Sequence, residues 1–142
     1  MKVSNIRVLH LNVNVVYDTL NTEEDRRTTF QKEVCRHYYA ITGYIGEEGD
    51  IVKACTWLLE NGIYKLVAHL SVEDELTEIG HLERGWRMTN TIDRYWPENV
   101  HSLAGSTFTV FGKEHRSSSV GDLFILDGKK FMAATCGFTE VK

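Results

Sequence analysis

Proline occurs once in these 142 residues, at Pro97, and no apolar run approaches the roughly 18 residues of a membrane-crossing helix. No membrane partner is therefore expected. Cysteine is nearly as sparse. Cys35, Cys55 and Cys136 lie far apart, an odd count with no C-x-x-C spacing, which excludes a disulfide framework and the ligand pattern of a zinc site. The chain opens without a charged-then-apolar leader, and with its cysteine usage this points to a reducing cytoplasm. The dinucleotide and phosphate glycine loops, H-E-x-x-H, G-x-S-x-G and the EF-hand pattern are all absent, and none of the six histidines stands four residues from another. We therefore expect no catalytic residue, no metal and no cofactor. Basic residues are also in deficit: 16 Lys and Arg against 20 Asp and Glu leave a net charge of −4. That balance argues against nucleic-acid backbone as the main partner, because counterion release needs a concentrated basic face. What is present is ordinary for a globular chain, 42% hydrophobic and 25% charged, and fits one domain over residues 1–142.

The periodicity is that of mixed structure. Leu9, Leu11, Val13, Val15 and Tyr17 alternate with His10, Asn12 and Asn14, the pattern of a half-buried strand over 6–17. Asn21 and Glu24 have capping-box spacing, and Phe30, Val34, His37, Tyr38 and Ile41 recur at helical intervals, which predicts a helix over 22–40. A loop follows over 43–50. Asp50 then caps a second helix carrying Ile51, Ala54, Cys55, Leu58 and Leu59, which Asn61-Gly62 stops. Residues 63–72 alternate again, with Tyr64, Leu66, Ala68, Leu70 and Val72 on one side. A third helix within 74–92 runs through Leu76, Ile79, Leu82, Trp86 and Thr89. Thr107–Phe111 reads as a strand, and Leu123–Leu126 and Lys130–Ala134 flank Asp127-Gly128, the pair favoured in a two-residue type I′ hairpin. The fold class this predicts is α+β, a mostly antiparallel sheet with about three helices and a C-terminal hairpin region.

Two segments concentrate specific polar groups. Between Trp86 and Trp96, two indoles and Tyr95 interleave with Arg87, Asn90, Asp93 and Arg94, a composition able to stack a planar ligand or grip a peptide. Helix-end and core roles account for the same residues. Between His115 and Asp122, three serines stand beside Arg116 and Gly121; Arg116, Ser117, Ser119 and Asp122 could hold an anion. Ser-Val-Gly-Asp before an apolar strand is equally a tight turn. As nucleophiles the serines would need a base, for which the sequence offers His115 or His101. His10 and His69, on the less apolar faces of the two best strands, are either pocket-lining bases or hydrogen-bonded strand residues. A last cluster, Glu73, Asp74, Glu75, Glu78 and Glu83, holds no Lys or Arg and forms either a solvated helix face or an acidic surface for a basic partner.

The stretches RSSSVGDLFILDGKKFM (116–132) and CGFTEV (136–141) together resemble the C-terminal YodL-like module of small phage, prophage and plasmid proteins. MTNTIDRYW (88–96) is similar to the L-T-N-x-I-D-x-x-W segment ahead of that module. The resemblance covers about residues 82–141; Ala133-Ala134-Thr135-Cys136 departs from the more polar lead that relatives often carry before Gly137-Phe138. It implies a mobile-element origin and action in the host cytoplasm, and it carries over no catalytic residue. The expectation is then an accessory protein that binds a host macromolecule, a defence or transcription component, without catalysis, through Trp86–Trp96 and the acids of 73–83. The alternative is a binder or processor of a small anionic ligand such as a nucleotide, held by Arg116, Ser117, Ser119 and Asp122 with Asn90, Asp93 and Arg94. Self-association into a homo-oligomer stays open in both.

Overall fold

Asn12 is where the chain departs first from simple alternation. In the computed structural model, which describes residues 3–42, 48–73, 75–91, 95–101, 107–113, 115–134 and 137–142, the first strand β1 is Ser4–Leu11 and a helix, α1, follows over Val13–Asn21. The expected strand over 6–17 is thus half strand and half helix. Val13, Val15 and Tyr17 fit a period of two, but Val16 and Thr19, three apart, are the residues that α1 buries. The turn is fixed from outside, where the Asn12 amide donates to the Ile63 carbonyl at 2.7 Å.

The second helix also starts later than expected. Asn21 ends α1, Glu24–Arg26 is a short 3-10 turn, and α2 spans Thr29–Thr42. The operative capping box is Thr28 with Gln31: the Gln31 amide donates to Thr28 Oγ1 at 3.1 Å and the Thr28 amide to Gln31 Oε1 at 3.0 Å. Arg27 bridges the two helices, donating through Nε to the Thr19 and Thr22 carbonyls at the end of α1 and through Nη1 to Cys35 Sγ of α2 at 3.4 Å. Helix α3 (Glu48–Glu60) ends as expected at Asn61-Gly62. The Gly62 and Ile63 amides reach back to Leu59 and Leu58, and Gly62 takes φ 74°. Of the loop expected over 43–50, residues 43–47 lie outside the described residues, and Glu48 to Asp50 are already helical.

The remaining elements are β2 (Tyr64–Val72), α4 (Glu78–Met88), a short 3-10 helix (Trp96–His101), β3 (Thr107–Val110), β4 (Leu123–Leu126), β5 (Lys129–Ala133) and β6 (Phe138–Val141). Six strands form one antiparallel sheet in the order β3-β2-β1-β4-β5-β6. The α+β class is as expected, with four α-helices among the described residues. Asp127 (φ 47°) and Gly128 (φ 91°) make the predicted type I′ turn between β4 and β5. In β2 the expected alternation breaks. Val8 pairs with Ala68 and Leu9 with Leu66, so Val67 is an extra residue, and Val67 and Ala68 face the same core. Tyr64 therefore belongs to the opposite core from Leu70 and Val72.

Both faces of the sheet carry a core. On one, Ile6, Val8, Leu70 and Phe124 meet Leu82 and Met88 of α4 together with Trp96. On the other, Leu11, Leu123, Ile125 and Met132 meet Val16, Val34, Ala54 and Leu58 of the first three helices. Double coverage explains why all four residues of β4 are buried, and why His10, on the face the sequence marks as polar, is only 1% exposed. Gly85 sets how closely α4 approaches. A Cβ there would lie 3.1 Å from Ile6 Cγ2 and 3.3 Å from the Phe124 ring.

Candidate functional site

The serine-rich segment closes on itself. The Asp122 carboxylate, fully buried, accepts four hydrogen bonds: Arg116 Nη1 and Nη2 at 2.6 and 2.7 Å, the Ser119 amide at 2.7 Å and the Leu11 amide at 2.9 Å. The Asp122 amide donates to the Ser119 carbonyl at 3.0 Å across a turn whose Gly121 has φ 94°. Arg116 spends further donors on the Leu11 and Ser117 carbonyls, both at 3.0 Å. A paired guanidinium and two converging backbone amides are the groups that would seat a phosphate oxygen. Here Asp122 occupies that position.

Beside this pair runs a buried hydroxyl chain. His10 Nε2 is 2.8 Å from Ser118 Oγ, which is 2.7 Å from Thr89 Oγ1, which donates to the Gly85 carbonyl at 2.8 Å. A carbonyl only accepts, so Thr89 gives its proton to Gly85, Ser118 gives its own to Thr89, and His10 donates from Nε2. The Asp122 carboxylate 3.8 Å from Nε2 favours the same tautomer. Burial, outweighing the attraction of Asp122, pushes the His10 pKa down to about 4, so the ring is neutral near pH 7. Ser118 consequently faces a hydrogen-bond donor where a nucleophile would need a base.

The other expected residues divide between enclosed and open positions. Trp96 is fully buried, its Nε1 donating to the Arg116 carbonyl at 2.7 Å, so the expectation of one exposed surface running from Trp86 to Trp96 is corrected at this end. Ser117 Oγ accepts from the Thr91 amide at 2.9 Å, and Asn90 Nδ2 donates to the Trp86 carbonyl at 2.6 Å where α4 ends. Ser119 is exposed. Asp93 and Arg94 lie outside the described residues, as do Asp74 and Cys136. His69 pairs on the sheet surface with Asn5 Oδ1 at 3.1 Å. His115 packs edge-on to Trp96 and meets the Tyr95 hydroxyl at 3.1 Å.

Trp86 opens onto a cleft. With Glu83, Ala133, Ala134, Gly137 and Phe138 it lines a space of about 270 Å³ between α4 and the β5–β6 end of the sheet. A larger cleft of about 450 Å³ lies at the other end of α4, with Ser4 and Leu126 as floor and Glu75, Glu78, Asp127 and Lys129 around it. The expected apolar stripe of this helix is corrected here. Leu82 is buried, but Ile79 is 48% exposed and Leu76, ahead of the helix, 36%, because the face that α4 buries runs through His81, Leu82, Gly85 and Met88 and Ile79 falls beside it. Of the acidic cluster, Glu75, Glu78 and Glu83 border the two clefts. Ser4, Leu126 and Lys129 have no signal in the sequence that ties them to α4; only the strand order brings them there.

No family model, curated protein or solved structure matches the chain. Among the described residues, no cluster of three or more His, Cys, Asp or Glu is placed to hold a metal ion, and no helix is long and apolar enough to cross a membrane.

Proposed function

We propose that this chain is an accessory protein of the phage and plasmid type that its C-terminal region resembles, acting in the host cytoplasm by binding a host macromolecule of the defence or transcription machinery, without catalysis. The observation that carries this reading is α4. One helix presents Glu78, Ile79, Glu83 and Trp86 between two clefts, with Glu75 and Leu76 just ahead of it. Exposed aliphatic side chains next to carboxylates and a half-buried indole are the make-up of a protein-binding surface with a basic counterpart. The alternative reading, a small anionic ligand on Arg116, gains nothing from the geometry, since Asp122 already takes the paired donors that such a ligand would use.

The test is affinity capture from host lysate with the native chain and with a variant carrying Glu75→Lys, Glu78→Lys and Glu83→Lys. A specific protein retained by the native chain and lost from the variant supports the proposal. Equal capture by both places the binding surface elsewhere. A nucleotide that raises the melting temperature of the native chain but not of Arg116→Ala would favour the anion reading.

A further inference from the structure

We infer that the 450 Å³ cleft between the first turn of α4 and the β4–β5 hairpin is a receptor for an arginine side chain carried by the partner protein. This rests on the reading of α4 as the partner surface and adds what that partner inserts. Three features converge. The mouth carries the carboxylates of Glu75, Glu78 and Asp127 against one ammonium, Lys129, and these outweigh that ammonium and the partial positive charge of the helix end together. The floor is part apolar, through Leu126, and Leu76 stands half-exposed at the wall, so an aliphatic stem has a surface to lie on. Two buried polar residues also line the cleft, His81 and Ser4, each only 5% exposed, and the Ser4 hydroxyl makes no hydrogen bond to any described residue. A hydroxyl oxygen able to accept, in a half-open cleft bordered by carboxylates, matches a guanidinium, which is planar, weakly hydrated and able to donate in several directions at once.

The protein already places a cation there. Lys129 Nζ sits 3.4 Å from Glu78 Oε2, both side chains being more than half exposed, so it is an internal competitor that can swing aside at small cost.

The experiment follows backbone amide shifts on titration with an acetylated, amidated pentapeptide bearing arginine between two leucines. Controls are the same peptide with citrulline, which keeps the shape and removes the charge, and spermidine. The proposal expects shifts at the amides of Glu78 to His81 and of Asp127 to Lys129, and binding about fivefold weaker for the citrulline peptide. Glu78→Gln weakens the arginine peptide about threefold and Lys129→Met tightens it by a similar factor. Both positions are exposed, and unchanged amide spectra away from the cleft establish that the variants fold. Shifts elsewhere, equal binding of citrulline and arginine, or preferential binding of spermidine would each overturn the assignment. If the arginine peptide binds in the cleft while capture of the host protein ignores α4, the partner reading fails and the cleft stands. If capture depends on α4 but citrulline binds as well as arginine, the cleft assignment fails alone.

Discussion

In the segment Arg116–Asp122 a guanidinium, a carboxylate and the Ser117 and Ser118 hydroxyls all have partners inside the protein, and the carboxylate at its centre is out of contact with water. In the segment Glu75–Trp86 three carboxylates and Leu76 border open clefts, and Ile79 is exposed beside them. By residue type the first looks like chemistry and the second like a solvated helix, yet the exposures run the other way. The difference lies in length and reach. Short hydroxyl side chains and a forked guanidinium beside a turn satisfy neighbouring backbone groups, so they close a corner; Glu75, Glu78 and Glu83 lie on exposed positions, and the ion pair of Glu78 with Lys129 is itself exposed.

The largest expected effect separates the two segments by stability. Asp122→Ala leaves Arg116 without its counter-charge and the Leu11 and Ser119 amides without an acceptor, which costs about 3–5 kcal/mol in urea unfolding. Arg116→Met on top of Asp122→Ala recovers part of this loss. A loss below about 1 kcal/mol for Asp122→Ala would break the comparison, because the segment would then not be structural.

Acid sharpens the same contrast. His10 has a folded pKa of about 4 against 6.5 when unfolded. Between those values the unfolded chain binds the extra proton, so stability falls as pH drops through this window, by about 3 kcal/mol in total. Arg116, Lys65 and His115 add to the depression and Asp122 opposes it. His37, also shifted down by burial, contributes in the same direction, so the measurement is the difference between the native chain and His10→Gln, whose pH profile should be flatter from 6.5 to 4. Parallel profiles would show that His10 is not held neutral.

At the small end, Glu75→Gln, Glu78→Gln and Glu83→Gln together change stability by no more than about 0.5 kcal/mol, since the one ion pair among the described residues that they disturb, Glu78 with Lys129, is exposed. A larger loss by calorimetry would mean that the acids of α4 are structural after all.

These outcomes bear on residues whose roles were unequally legible in the sequence. The hairpin at Asp127-Gly128 and the stop at Asn61-Gly62 are local, decided by positive φ within a few residues, and both are where the pattern places them. The strand-to-helix change at Asn12 is not local. It depends on Ile63 and Asp122, 51 and 110 residues away in the chain, and the residues after Asn12 satisfy either period. The capping box at 28–31 competed with a similar spacing at Asn21 and Glu24, and only the packing of α1 decides between them. For the site, the acids and Trp86 were legible as polar and aromatic density, as was the tight turn at 119–122. The enclosure of Trp96 was not, because it depends on the Arg116 carbonyl and on Phe108 of the edge strand β3, in the same core.

The central claim, that α4 meets the partner while the serine segment holds the fold, is tested most directly by site-specific photo-crosslinking in the host. A photoreactive residue replaces either Ile79 or Ser119, both exposed positions, one in each segment. A discrete protein adduct is expected from position 79 and none from position 119; an adduct from 119 with none from 79 would contradict this division of roles.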